Sequence, residues 1–307
     1  MTAELPLVVC VILHFNRPDD TLACVASLQS GTYPRLRILV LDCAPTADSR
    51  IAVLGEAGPT VEIVRVDDNR GYAGNNNIGI ACALERGADW ILLLNDDTIV
   101  DADAVSRMVE TGESAAQIGI VGPLVYHFDE PSVIQSAGGG MTSGWDSFHY
   151  GQNEDDHGQF AAPRDVAWIS GCALMCRSAL VREIGTLDER FFLYWEETEW
   201  CLRAGEAGWR IVHVPGAHLW HKGVTRDYRP GPAVSYYSTR NHLLTLHVRH
   251  APLGARMAVW AQVLRTLLSW TLRPKWRSKR EHRNAMRQGA IDYLRGRFGR
   301  WTPPSPN

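Results

Sequence analysis

A chain of 307 residues, 45% hydrophobic and 21% charged, has the make-up of a globular protein, sized for one large α/β domain with an appendage or for two modest domains. The net charge of −3 conceals an asymmetry: from Ala251 to the end 12 Lys+Arg stand against 2 Asp+Glu, while the first 250 residues carry 19 basic and 32 acidic, so the basic tail is expected to meet anions. The seven cysteines are odd in number and irregularly spaced, which excludes a disulfide frame and a zinc quartet and suits reduced core thiols of a cytoplasmic protein.

Met1–Pro6 carries no basic residue, so no secretory leader is expected before the strand-length run Leu7–Leu13. Leu7–Leu13, Leu36–Leu41, Val61–Val66 and Trp90–Leu94 are short apolar runs of the kind buried on both faces of a sheet. Helical stretches alternate with them: Asp19–Gln29, opened by Pro18 and closed by Gly31, then roughly Ala47–Ala57, then Asn75–Arg86. This alternation predicts a parallel, doubly wound α/β sheet. Ile118–Tyr126, Val133–Gly140 and Asp165–Ile169 read as further strands, with Gln152–Gly158 a polar loop. Helices are expected near Ser178–Ile184 and Glu196–Gly208, a strand at Arg210–Val214, and helices again from Pro232. Met257–Leu272 is too short and, at Arg265, too interrupted to cross a bilayer; it reads either as a packed amphipathic helix or as one lying on a membrane surface.

In a parallel sheet, ligands bind beyond the carboxyl ends of the strands. The four N-terminal strands run into His14-Phe15-Asn16, Asp42, Asn69 and Asn95-Asp96-Asp97, four polar ends in register. Asn69 to Asn77 joins the third strand to a helix: its glycines allow close backbone approach, its amides donate and accept, and the helix start favours a diphosphate. Two carboxylates ending a buried strand at Asp96 and Asp97 are costly unless paired or bound to a cation, and Mg²⁺ or Mn²⁺ is the natural partner of such oxygens. Glu196, Glu197 and Glu199 lie against the aromatic run Phe191–Trp195, where an apolar wall raises a carboxyl pKa toward that of a general base. His218 and His221 follow a strand and serve either a metal or the structure.

Taken in order, VVCVILHFN, ILVLDCAP, DDNRGYAGNNNIGI, WILLLNDDTIV, WISGCALMCR, LDERFFLYWEETEWCLRAGEAGW, HLWHKGV and YYSTRN resemble family 2 glycosyltransferases with the GT-A fold, and more narrowly their bacterial rhamnosyltransferase-like branch. The resemblance runs over roughly residues 7 to 242 and is specific for the family, much less so for the sugar. It implies a GT-A catalytic domain over residues 1–231, with a nucleotide-binding half at 1–100 and an acceptor half at 101–231, followed by a helical, basic extension at 232–307. It implies that Phe15, Asn16 and Asp42 face the base, and that Asn69, Gly71 and Asn75 line the ribose and phosphates. Asn95 and Asp97 occupy the outer positions of an Asp-x-Asp metal motif with Asp97 as direct ligand, and His221 supplies a further metal or phosphate contact. Glu197 stands where the family carries its catalytic base, after Glu196; Arg240 and Asn241 match a helix-borne pair near the site. Two departures matter. Asn95 replaces an Asp, which leaves Asp96 as a ligand or donor contact. Glu197 replaces an Asp, and its extra methylene moves the carboxyl by about 1.5 Å, so Glu196 or Glu199 could share the role.

The implied reaction is a single displacement with inversion at the anomeric carbon, aided by Mn²⁺ or Mg²⁺ on the leaving diphosphate and by Arg240 or Lys222, with Ser170-Gly171-Cys172 shaping the sugar pocket. The donor is expected to be a dTDP- or UDP-sugar, and the acceptor a saccharide, a lipid-linked saccharide or a small molecule. The tail offers a peripheral contact at the inner face of a membrane or a homodimer interface. A dinucleotide-dependent oxidoreductase would need G-x-G-x-x-G after the first strand, where HFNRPD stands instead. No motif supports a nucleic-acid partner. A binding protein that has lost its activity would lack the base or the metal carboxylate, and both are present.

Overall fold

Alternating side chains of the first apolar run sort to opposite faces of a sheet: Val8, Cys10 and Ile12 join one core cluster, Val9 and Val11 the other. A computed structural model of the chain describes residues 4–44, 51 and 60–303; the helix expected near Ala47–Ala57 lies outside them, apart from Ile51. Strands β1 (Val8–His14), β2 (Leu36–Asp42), β3 (Val61–Arg65) and β4 (Trp90–Asn95) pair in parallel in the order β3-β2-β1-β4. Helix α1 (Pro18–Gln29) covers one face and α2 (Gly71–Glu85) the other. Gly79 lets α2 sit hard on β1, since a Cβ there would meet a Val11 methyl at 2.2 Å. Full burial of each such Val, Ile or Leu contributes about 1.5–3 kcal/mol.

The sheet then changes direction. After β5 (Thr98–Val100) and α3 (Ala104–Glu113) come β6 (Ile118–His127), β7 (Ile134–Ser136), β8 (Gly139–Met141), β9 (Ser147–His149), β10 (Arg164–Asp165) and β11 (Ala173–Arg177). β11 inserts antiparallel between β4 and β6. Helices α4 (Ser178–Ile184) and α5 (Glu196–Glu206) lead to β12 (Arg210–His221), which runs parallel to β6. The full order is β10-β12-β6-β11-β4-β1-β2-β3, with β5 on β12 and β7 on β6.

Three expectations need correction. The run Val133–Gly140 is two strands, broken at Gly138 with φ +78°. Only Asp165 of Asp165–Ile169 is in a strand, on β10. The strand expected to stop at Val214 continues to His221 after a bulge between Val214 and His218, so HLWH is strand and not loop.

From Pro232 the chain is helical: α6 (Pro232–Val248), α7 (Leu253–Leu272), a 3-10 segment at Pro274–Lys279 and α8 (Arg280–Leu294). These helices share their own apolar cluster around Leu243, Leu246, Val259, Val263 and Ala290. They also reach back, for Tyr236 and Tyr237 pack with Phe192 and Leu193 just ahead of α5. All seven cysteines are free thiols.

Candidate active site

The parallel register fixes the first wall of the site. His14 pairs with Asp42 across β1/β2, and Leu13 with Asn95 across β1/β4, so three strand ends reach one edge. A cavity of about 270 Å³ opens there, lined among others by Phe15, Asn69, Gly71, Asn75, Asn95, Asp96 and Asp97. Phe15 stands on its rim, 45% exposed, and Asn16 turns the chain with φ 58°. Asp42 is buried and is not among the residues lining the cavity: Arg65 Nη1 donates to its Oδ2 at 2.9 Å, and the Ala44 N–H to its Oδ1. The polar run at 69–77 is not a loop throughout, because α2 begins at Gly71. Asn69 Oδ1 accepts from the Gly71 N–H at 2.9 Å and from Asn75 Nδ2 at 3.2 Å, and Asn75 Oδ1 accepts from Arg70 N–H at 3.0 Å. These mutual bonds brace the α2 start at the cavity, where the Gly71 N–H is held by Asn69 and the Ala73 N–H faces Phe192 O at 3.4 Å. Asn76 and Asn77 turn away, to Tyr72 O and to Leu187.

The acidic centre is assembled by β5, a strand of three residues that sequence reading missed. It pairs antiparallel with β12 so that His221 opposes Thr98, and Lys222 N–H donates to Asp97 O at 2.9 Å. His221 Nε2 thereby comes within 3.0 Å of Asp97 Oδ1 and 3.4 Å of Asn95 Nδ2. On the far side of the ring, Gln135 Oε1 lies 3.1 Å from Nδ1 and takes its hydrogen. Asp97 Oδ1 is buried and accepts no well-directed hydrogen bond. Gly223 leaves the space beside it open, since a Cβ there would lie 2.4 Å from Asp97 Oδ2 and 3.1 Å from His221 Nε2.

These residues fit a divalent ion: two ligands about 2.1 Å from an octahedral centre lie about 3 Å apart when adjacent, and the donors are the Asp97 carboxylate and the His221 imidazole, with the Asn95 amide, whose nitrogen faces His221 here, needing to turn its oxygen inward to join them. Among the described residues no group of three or more His, Cys, Asp and Glu is placed to hold a metal, so any further ligands must come from Asn95, substrate or water. Burial pushes the Asp96 carboxyl up to about 6, with the Asp97 charge adding to it. Burial acts on Asp97 too, but the hydrogen-bonding and charge of His221, then the charge of Arg17, outweigh it and hold its pKa below the ordinary carboxylate value. Arg17, which sequence reading passed over, donates from Nη1 to Asp97 Oδ2 at 2.7 Å with its side chain more than half exposed. Its position within HFNRPD, directly after the polar end of β1, was the available signal. Gln135 gave none.

The second wall is a strained turn. Phe192, Tyr194 and Trp195 all adopt left-handed backbone, with φ of 64°, 67° and 77°. Each such residue costs of order 1–3 kcal/mol, so the surroundings must hold it. Asn241 and Arg240 do so. Asn241 Nδ2 lies 2.9, 2.8 and 2.7 Å from the carbonyl oxygens of Phe191, Leu193 and Tyr194. Arg240 donates to Phe191 O, Arg190 O, Gly299 O and Asn241 Oδ1. The expectation that Arg240 contacts the donor is corrected here: its side chain is fully buried and its donors are engaged by the protein itself.

The turn delivers Glu196 and Glu197 as the first residues of α5. Glu196 is buried, and desolvation, then the neighbouring Glu197, raises its carboxyl well above the ordinary value. Desolvation also raises Glu197, only partly offset by backbone N–H groups including those of Thr198 and Gly171. Oε2 of each has no hydrogen-bond partner. Glu199 is committed elsewhere, in ion pairs with Arg203 and Arg249, both at 3.1 Å. Tyr72 joins the two walls: it lines the cavity, donates to Gly171 O, and feels both carboxylates, Glu197 the more strongly. Gly71 joins them again, for its φ is +75° and a Cβ there would lie 2.2 Å from Phe192 O.

Comparisons with known proteins identify the family and the fold. Residues 9–184, more than half of the chain, match the family described as glycosyl transferase family 2. An N-acetylglucosaminyl-diphospho-decaprenol L-rhamnosyltransferase of Mycobacterium tuberculosis is 26% identical over 81% of this chain and 83% of its own. The dTDP-rhamnosyl transferase RfbF of Shigella flexneri is 25% identical over 78% and 80%. Among solved structures, a mannosyltransferase from Pyrobaculum calidifontis in complex with GDP-Man and Mn²⁺ superposes with a TM-score of 0.58 at 12% identity, over 95% of this chain and 88% of that one. GalNAc-T7 with UDP, GalNAc and Mn²⁺ gives 0.63 at 14%, over 80% of this chain and 49% of that one. The chain belongs to glycosyltransferase family 2, an enzyme family, and carries the GT-A fold with rhamnosyltransferases among its relatives.

Proposed function

We propose that the protein transfers a rhamnosyl residue from a dTDP-sugar to a hydroxyl of a saccharide acceptor carried on a lipid diphosphate, with inversion at the anomeric carbon. The sugar and acceptor class are taken from the relatives named for those activities. One observation carries the chemistry: Asp97 and Asn95, with His221 beside them, line the cavity at the sheet edge, and Tyr72, which lines it too, feels the raised carboxyls of Glu197 and Glu196. In this reading Phe15 and Asp42 bound the base pocket, and the start of α2, held by Asn69 and Asn75 around Gly71, receives the diphosphate. Asp97, His221 and Asn95 would hold Mn²⁺ or Mg²⁺, which supplies charge neutralisation for the departing diphosphate. Arg17, paired with Asp97, adds a cation beside it. Glu197, the less buried of the pair, accepts the proton of the attacking acceptor hydroxyl, and its burial keeps its pKa above the ordinary carboxylate value. Arg240 and Asn241 position the turn that carries both. Free thiols throughout suit a reducing compartment, in keeping with a cytoplasmic enzyme.

The test combines donor binding with turnover. The melting temperature should rise with dTDP or dTDP-rhamnose in the presence of Mn²⁺ and much less without it. Glu197→Gln should retain that shift while turnover falls by about 10²–10⁴, the usual worth of a general base. A variant turning over near the wild-type rate would move the base to Glu196. Stabilisation by other nucleotides alone would overturn the donor.

A further inference from the structure

Helix α7 has two apolar faces. One packs inward through Ala255, Val259 and Val263. At 100° per residue, Leu253, Met257, Ala261, Leu264, Leu268 and Leu272 fall within an arc of about 100° on the other side, a stripe about 28 Å long. Its five large members are 55 to 74% exposed, an unusual state for Leu and Met. A shallow groove lined by Leu264, Leu268, Leu272, Arg265 and Arg273 lies along this face. Arg265 flanks the stripe, and its end runs into Arg273, Lys275, Arg277, Lys279 and Arg280. Among the described residues, none of the twelve Lys and Arg after Ala251 takes part in an ion pair, and the segment holds only two acidic residues. No described helix is long and apolar enough to cross a membrane.

We infer that this face of α7 docks on an anionic lipid bilayer, the leucine stripe entering the headgroup boundary and the basic cluster meeting lipid phosphates. Charge chooses the occupant. A second copy of the chain would bring two such basic clusters together, and a nucleic acid would have no use for the leucines. A bilayer of acidic lipids satisfies both features at once, and neither alone gives firm attachment. The inference concerns a surface remote in chain and chemistry from the donor cavity, so it stands or falls independently of the sugar transferred.

The experiment is co-sedimentation of the full-length protein with vesicles of phosphatidylcholine alone and of phosphatidylcholine with equimolar phosphatidylglycerol. The protein should pellet with the anionic vesicles only, and less as salt is raised. Leu264→Glu/Leu268→Glu, at sites already exposed, should keep the wild-type melting temperature and its shift with dTDP and Mn²⁺, yet lower the vesicle partition coefficient by about ten-fold or more. Lys275→Gln/Arg277→Gln should weaken binding at low salt and leave the apolar contribution. Absence of wild-type binding to anionic vesicles overturns the inference, as does unchanged binding of the leucine variant. So does a wild-type dimer in sedimentation velocity that the leucine variant converts to monomer, which would assign the stripe to self-association.

Discussion

At Glu196 and Glu197 two carboxylates share one helical first turn, each with an oxygen that no hydrogen bond satisfies. An ordinary enzyme core would not keep both. Their raised pKa values mean that the folded protein retains protons which the unfolded chain releases above about 4.5. Stability from this pair is therefore lost as pH rises from the unfolded value through the folded one, and is fullest in acid. Glu196→Gln should accordingly raise the melting temperature at pH 8 by a few degrees and change it little near pH 5, which thermal denaturation at the two pH values would check. The same shift sets catalysis in the opposite sense. A base must be ionised, so the acid limb of kcat/KM should fall at a pH above the usual carboxylate range and should disappear in Glu197→Gln along with the rate. An acid limb at the ordinary carboxylate pKa would mean that donor and metal restore solvent-like conditions at Glu197.

At the scale of elements, the active site is a joint between the α2 start and the turn before α5, and Gly71 is its tightest point. Gly71→Ala would place a methyl against Phe192 O and demand left-handed backbone of a non-glycine residue. We expect a loss of about 2–4 kcal/mol, from that strain together with the overpacking, and a raised KM for the donor, measured by chemical denaturation and initial rates. Asn241→Ala acts on the other partner. Freeing three buried carbonyls should let the strained turn relax, lowering kcat by roughly 10–100-fold while the melting shift with dTDP and Mn²⁺ persists, if each lost bond is worth about 1 kcal/mol. Loss of both together would mean that Asn241 only keeps the protein folded.

This joint also marks what the sequence could reveal. The sheet edge was legible because buried parallel strands are continuous apolar runs and polar residues at their ends stand out, as Asp42, Asn95 and Asp97 do. The carboxylate pair was legible from its aromatic flank. Three things were not. β5 has only three residues, too few for any period, yet it carries His221 to Asp97. The continuation of β12 is hidden by Pro215 and Gly216, which read as a stop and here form a bulge. Arg240 reads as a ligand-facing cation because sequence gives residue type and not the neighbours that occupy its donors.

At the scale of the molecule, the C-terminal segment joins the catalytic unit through one side and turns a basic, apolar side outward. The joining contacts are specific. Trp301 stacks on Tyr236 at 5.1 Å between centroids, its N–H donates to Tyr237 Oη at 2.8 Å, and Gly299 O takes a hydrogen from Arg240 Nη1 at 2.7 Å. Tyr237 stacks in turn on Phe192 at 5.7 Å, within the strained turn. A chain of packed groups thus runs from the last described residues to Glu196. Ending the protein at Gly296 would remove the outer members while leaving the sheet edge and the α7 stripe intact. Loss of a stacked Trp costs about 3–5 kcal/mol where it is well buried, and less here because Trp301 is half-buried. The truncated enzyme should therefore fold with a lower melting temperature, bind dTDP with Mn²⁺ as before, and turn over a water-soluble acceptor about ten-fold more slowly, a loss of about 1.4 kcal/mol in transition-state stabilisation. Steady-state kinetics on such an acceptor separate this from any effect on vesicles. Unchanged kcat would show that the turn before α5 holds its shape without the terminal segment, and would confine the extension to the surface it presents outward.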